Sequence, residues 1–304
     1  MSGWTLTDLP SQSGRVAIVT GTGGLGLENA LALTQAGGEV IIAGRNPDKG
    51  AHAVMAIRQK SPDARIRFEI LDLASLASVA AFAERMAGDL DGVDLLINNA
   101  AAMNPPTRKI SSDGFELQFA TNYLGHFALT AHLLPLLRRA RKPRVVTLSS
   151  VAARGGRIDF DDLQAERAYR PMAAYGQSKL ACLIFALELQ RRSDANGWGL
   201  TSLAAHPGIS RTDLLPNGAG RRSFAGIMRT YLWFLFQPAA QGALPTLYAA
   251  SSPLASGGGY YGPTRLGELR GAPGPAAVPV QARDEAVAAR LWTESERLSG
   301  AAFR

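Results

Sequence analysis

The sequence predicts an α/β fold, a single doubly wound parallel sheet with helices on both faces. Three observations predict it. Short β-branched and apolar runs alternate with stretches of helical periodicity along most of the chain. Those runs are continuously apolar rather than alternating, as strands buried on both faces are. No linker-like change of composition divides the 304 residues, 46% of which are hydrophobic. A chain of that length buries about three quarters of its unfolded surface, so one large core is within reach.

The elements follow in order. Residues 15–20 (RVAIVT) form the first strand, and glycines lead from it into a helix over about 27–36, which Gly37 and Gly38 end. Residues 40–43 (VIIA) are the second strand, and Asn46 with Pro47 opens the second helix. Residues 66–71 are the third strand, and 75–88 carry helical periodicity. The fourth strand, 94–97 (DLLI), runs into Asn98 and Asn99. Residues 115–139 form a long helical region with a break near Gly125 or a bend at Pro135. Strand five is 145–148 (VVTL), ending at Ser149 and Ser150; a helix over 173–192 follows, then strand six over 200–205. The Gly/Pro-rich stretch 271–279 reads as a surface loop before a last helix over 283–298. Residues 1–14 are an N-terminal extension, and 15–304 a single domain.

Composition narrows the function classes. One cysteine, Cys182, excludes an internal disulfide framework and most thiolate metal sites, and the four histidines show no metal-ligand spacing, so no metal is expected. The start, MSGWTLTDLP, has neither the basic nor the apolar region of a signal peptide. The most apolar stretch, 224–236, is interrupted by Arg229 and too short for a membrane span. A cytoplasmic location is therefore expected. The formal charge of +7 and the cluster RRARKPR over 138–144 raise nucleic acid as a partner. No stacking aromatics accompany them, and cations suit a helix C-terminus, so none is expected.

Three motifs carry chemistry. Gly21, Thr22, Gly23, Gly24, Leu25 and Gly26 join the first strand to the first helix. Glycines there permit a tight turn and let backbone N–H groups approach a pyrophosphate at the helix N-terminus. After the second strand, where a carboxylate would bind a free ribose 2′-hydroxyl, the chain has Arg45 and Asn46. A guanidinium suits a 2′-phosphate, which favours NADP(H). Tyr175 and Lys179 share a helix face. An ammonium about 4 Å from a phenolate is worth roughly 4 kcal/mol at an effective dielectric near 20, before any desolvation cost. That predicts a tyrosine pKa lowered toward neutrality and a proton donor for catalysis.

Taken in order, the glycine loop, Asp72-Leu73, Asn98-Asn99-Ala100, Asn122, Ser150, Tyr175 with Lys179, and Pro207-Gly208 resemble the short-chain dehydrogenase/reductase family over nearly the whole chain. The segment NYLGHFAL from Asn122, the wide spacing of Ser150 and Tyr175, and the tail QARDEAVAARLW from Gln281 resemble the branch of retinol dehydrogenases and their bacterial relatives. The resemblance implies a Rossmann fold. It implies Tyr175 as acid/base, Ser150 as orienter of the carbonyl oxygen, and Lys179 as the group that lowers the tyrosine pKa and binds the nicotinamide ribose. It implies Asn122 as holder of a relay water. Asp72 and Leu73 would contact adenine, Asn99 and Ala100 would border the adenosine ribose, and Pro207, Gly208 and Thr212 would lie at the nicotinamide.

Two departures stand out. The family loop TGxxxGxG is here one residue short, and Ala101 replaces the glycine of NNAG, where a positive φ would strain it. The apolar segment of about 213–237 occupies the family's substrate-loop position and predicts a bulky lipophilic ketone, aldehyde or alcohol. It reads as a lid, an inter-subunit contact or a membrane-surface contact. The family often forms homo-oligomers through helices such as 115–139 and 173–192. The expected activity is an NADP(H)-dependent carbonyl reductase or alcohol dehydrogenase. The alternative is a non-catalytic NADP(H)-sensing protein, suggested by the short glycine loop and opposed by the intact Tyr175 and Lys179. A light-driven reductase is disfavoured by the position of Cys182.

Overall fold

The computed structural model describes residues 3–210 and 237–304. Within them lies an eight-stranded sheet in the order β3-β2-β1-β4-β5-β6-β7-β8. The strands are β1 (Val16–Thr20), β2 (Glu39–Gly44), β3 (Ile66–Ile70), β4 (Leu95–Asn98), β5 (Arg144–Leu148), β6 (Thr201–Ala205), β7 (Tyr260–Arg265) and β8 (Arg270–Pro275). The helices are α1 (Leu25–Gln35), α2 (Pro47–Lys60), α3 (Leu76–Asp89), α4 (Gly125–Arg139), α5 (Pro171–Asn196), α6 (Ala239–Ser251) and α7 (Glu285–Ser299). All neighbouring pairs through β7 are parallel, and β7–β8 is antiparallel. It is a single Rossmann-like domain.

Local chemistry explains the helix ends. Asn46, Ser75 and Asp284 accept backbone N–H bonds as N-caps of α2, α3 and α7. Pro171 starts α5 without losing a needed donor, and Gly197 ends it in the left-handed conformation.

Burial on both sheet faces matches the continuous apolar strands. Ile18, Ile41, Leu96 and Val145 point to one core with Phe82, Phe127 and Leu183. Their chain neighbours Val19, Val40, Ile42, Ile97 and Val146 point to the other with Leu33, Ile57 and Leu247. The first core is closed by α7 and the C-terminal tail. Trp292 and Phe303 pack 4.5 Å apart, and each lies 5.1 Å from Phe127. The Tyr123 hydroxyl meets Ser295 at 2.6 Å. These faces of α4 and α5 are thus covered within the chain itself.

Several expectations change. The stretch 271–279 is not a surface loop at its start: Arg270–Pro275 is an edge strand, whose Gly262↔Gly274 and Pro263↔Pro273 pairs lie on the sheet's last ladder. Edge strands tolerate proline because one row of N–H groups needs no partner, and this composition hid the strand. Strand β7 and helix α6 were also hidden, α6 by the internal Pro245. The helical region 115–139 is split, with a single α-turn at Leu117–Phe119 and a π-turn over Ala120–Leu124 before α4 starts at Gly125. Pro135 lies inside α4 without ending it. Residues of the N-terminal extension pack on the domain: Trp4 meets Tyr248 edge-on at 5.7 Å, and the Gln12 amide donates to the Ala36 carbonyl. Arg144, from the basic cluster, donates to the Ala249 and Ser252 carbonyls at the end of α6, a structural use of the charge. No described helix is long and apolar enough to cross a membrane.

Candidate active site

The sheet order reverses between β1 and β4, and ligand crevices in such sheets lie beyond the carboxyl ends of the strands at that point. Gly21, Arg45, Asp72, Asn99, Ser150 and Pro207 lie on segments leaving strand ends, while Asn122 comes from a helical turn and Tyr175 and Lys179 from α5.

Thr20 ends β1 and is buried. Its hydroxyl accepts the amides of Asn99 and Ala100 at 2.8 and 3.0 Å. The Asn99 side chain donates to the Thr20 carbonyl at 2.7 Å. A Cβ on Gly21 would come within 2.8 Å of Asn99 Nδ2, and one on Gly26 would run into the Gly21 carbonyl. Gly21 (φ 98°) and Gly24 (φ 52°) occupy conformations that other residues rarely adopt. Even one residue short, the loop closes onto α1 and starts it at Leu25. Thr22 leans over Gly44, where a Cβ would lie 2.9 Å from its methyl group.

Beyond β2, Arg45 is exposed and has no hydrogen bond or ion pair among the described residues. Asn46 beside it spends its carbonyl oxygen on the α2 cap at 2.9 Å. Asp72 accepts the Ala74 amide at 3.0 Å, and Leu73 is buried with its carbonyl against Gly125. Ala101 keeps a negative φ, so the strain expected there does not arise.

Ser150 follows β5 and caps a 3-10 turn, Val151–Gly155, accepting the Ala152 amide at 3.2 Å. Tyr175 and Lys179 stand one turn apart on α5 and are both buried. Gly156 and Gly176 touch backbone to backbone, which brings the Ser150 turn against the helix beside Tyr175. Burial pushes the Tyr175 phenol up to about 12, partly offset by the facing Ser150 hydroxyl and reinforced by the Cys182 thiol. This corrects the expected depression by Lys179. That ammonium turns to the Leu148 carbonyl at 2.9 Å, and desolvation of the phenol wins. Burial likewise lowers the Lys179 pKa.

Asn122 sits in the π-turn, a feature common at functional sites. Its side chain clamps Ala102 from both sides, accepting the amide at 2.7 Å and donating to the carbonyl at 2.9 Å, and donates to Ser178 at 2.9 Å. Its amide protons are therefore spent on bracing the loop after β4 and on Ser178, while its oxygen has one further lone pair beyond the Ala102 bond. The Asn122 carbonyl meets His126 Nδ1 at 2.9 Å and Cys182 Sγ at 3.1 Å. His126 is a site residue the sequence reading missed. Its Nε2 meets Thr20 at 2.9 Å, so it links the glycine loop to the π-turn. No motif signals this, because the link crosses elements far apart in the chain. Thr212 and nearly all of the segment 213–237 lie outside the described residues.

The fold and this arrangement define a dinucleotide-dependent oxidoreductase, and the comparisons agree. The short chain dehydrogenase family profile matches residues 15–219. The chain is 42% identical over 295 residues to retinol dehydrogenase 13 of Mus musculus, covering 95% of this chain and 85% of that one. It is 42% identical over 304 residues to polyprenol dehydrogenase of Mus musculus, covering 96% and 86%. A crystal structure of an uncharacterised protein from Mycobacterium paratuberculosis superposes with a TM-score of 0.83 at 40% identity, covering all of both chains. The chain belongs to the short-chain dehydrogenase/reductase family, in its retinol dehydrogenase-like branch. The family's fold binds a nicotinamide cofactor, and the tight glycine turn fits one: a Cβ at Gly21 or Gly26 would strike Asn99 or the Gly21 carbonyl, so the turn closes only with glycine at both.

Proposed function

We propose that this protein is an NADP(H)-dependent oxidoreductase that interconverts a bulky lipophilic ketone or aldehyde and its alcohol. The observation that carries the reading is the placement of Ser150 just after β5 against Tyr175 and Lys179 in the N-terminal third of α5, with the phenol and ammonium buried.

A bound nicotinamide supplies the hydride to a carbonyl carbon or takes it from an alcohol. Tyr175 gives its phenolic proton to the carbonyl oxygen in reduction and takes the hydroxyl proton in oxidation. Ser150 donates a hydrogen bond to the same oxygen and orients it. Lys179, with one proton on the Leu148 carbonyl, keeps two for the nicotinamide ribose and for proton delivery toward Tyr175. Asn122 holds the π-turn against α5 through Ser178.

Asp72, Leu73, Asn99 and Ala100 would border the adenosine half, and Pro207, Gly208 and Thr212 the nicotinamide. The exposed Arg45, unpaired among the described residues and with no carboxylate beside it in the sequence at the end of β2, supports a 2′-phosphate and hence NADP(H). The names of the relatives, retinol and polyprenol dehydrogenase, support a long apolar alcohol or its carbonyl product.

The test is oxidation of retinol, a polyprenol and short polar alcohols with NADP+ and NAD+, and reduction of the matching aldehydes. The expected result is turnover of the apolar substrates with at least tenfold preference for the phosphorylated cofactor. Equal use of NAD+ overturns the cofactor assignment, and preference for short polar alcohols overturns the substrate class.

A further inference from the structure

Two loops of the site meet at a partly buried ion cluster that none of the roles above uses. His206 is the first residue after β6 and 1% exposed. Burial holds its imidazole below the ordinary histidine pKa, so the ring is neutral at pH 7. Its Nδ1 accepts the Gly208 amide at 3.3 Å. The ring proton therefore sits on Nε2, which donates to Glu268 at 2.9 Å. The ring packs against Gly262 of β7, where a Cβ would collide with it.

Glu268 stands in the turn between β7 and β8. The carboxylate oxygen that meets His206 also receives Arg154 Nη2 at 2.7 Å, and the other oxygen accepts the Ala277 amide at 2.9 Å. Burial alone would raise the Glu268 pKa, but the Ala277 amide, His206 and Arg154 together hold it below the usual range. Arg154 lies in the turn that Ser150 caps, and its Nη1 donates to the Gly267 carbonyl at 3.1 Å. Leu266 and Glu268 both have positive φ, 53° and 70°. Such backbone persists where its surroundings over-determine it, and the carboxylate, held by three donors from separate segments, does so here. A loose surface ion pair would contribute little. This one is different: the Glu268 side chain is only 18% exposed and joins three separate chain segments.

We propose that Glu268, with Arg154 and His206, is a positioning cluster that locks the Ser150 turn and the Pro207-Gly208 turn into one relative geometry. The hydroxyl that orients the substrate oxygen and the backbone beside the nicotinamide are then set by the β7–β8 hairpin, which lies outside the catalytic residues. The catalytic part of the inference rests on the reaction proposed above.

Glu268→Gln keeps the shape and removes the charge. Arg154→Met acts from the half-exposed side of the cluster and is the milder test of folding. The expected result is a kcat at least tenfold lower in each, with KM for the carbonyl substrate changed less than threefold. The double variant is no worse than the poorer single, because both cut the same link, and Arg154→Lys recovers part of kcat. In the cofactor-free protein, amide hydrogen exchange rises at least tenfold over 150–156 and 206–210 in both single variants, while β1–β4 are unchanged. Unchanged exchange in both loops, or a kcat within twofold of the starting protein, overturns the positioning role. If the unmodified protein turns over no carbonyl or alcohol, it is the proposed reaction that fails, and the exchange measurement still decides whether the cluster ties the loops.

Discussion

The ammonium of Lys179 donates to the carbonyl of Leu148, the last residue of β5, at 2.9 Å, and the next residue, Ser149, returns a 2.7 Å hydroxyl bond to the Lys179 carbonyl. This double tie pins α5 to the end of β5. It sets Tyr175, one turn up the helix, opposite Ser150. Burial of the phenol decides its protonation, so Tyr175 keeps its proton.

The pH dependence of the two directions follows. With Tyr175 pushed up to about 12, the free protein holds the phenol protonated throughout the neutral range. Reduction needs that form, so kcat/KM for a carbonyl substrate should be flat between roughly pH 6 and 9. Oxidation needs the deprotonated form, so its kcat/KM should climb by about tenfold per pH unit over the same range. Paired pH profiles check this, and an oxidation profile already level at neutral pH contradicts it.

Arg45 is the second test. Arg45→Ala should weaken NADPH binding by at least tenfold, because charge-assisted hydrogen bonds of about 1.5–3 kcal/mol are lost. NADH binding should change less than twofold. Fluorescence titration with both cofactors reads the difference.

His126 predicts a stability effect. Burial pushes its pKa from 6.5 down to about 3, so the folded protein keeps the ring neutral where the unfolded chain protonates. Between those values the unfolded state binds more protons, and stability is full above pH 6.5 and falls as the pH drops toward 3. Each unit costs about 1.4 kcal/mol for this one group. His206, also lowered by burial, adds in the same direction. Denaturant melts at a series of pH values should show the fall, and His126→Gln should flatten it while lowering stability overall.

The parallel strands were legible because β-branched runs such as VIIA are apolar on both faces. The proposed site was legible as short motifs: the glycine loop, Arg45 and Ser150 lie within a few residues of a strand end, and Tyr175 and Lys179 lie one turn apart on α5. What was hidden depends on distance or on edge position. β8 reads as a Gly/Pro loop because an edge strand needs only half its donors. The Tyr175 shift runs opposite to expectation because the i, i+4 spacing with Lys179 does not show how deeply the phenol is buried. His126 and the His206–Glu268–Arg154 cluster join segments separated by dozens of residues or more, and local patterns do not carry such pairings.

The central claim is that Tyr175 moves the proton in a nicotinamide-linked carbonyl and alcohol interconversion. The most direct measurement is the steady-state rate of NADPH oxidation with a lipophilic aldehyde by the unmodified protein and by Tyr175→Phe, alongside NADPH affinity for both. The account predicts turnover by the unmodified protein, a loss of at least a hundredfold in kcat for the variant, and cofactor affinity within threefold. Equal rates for the two proteins would contradict it.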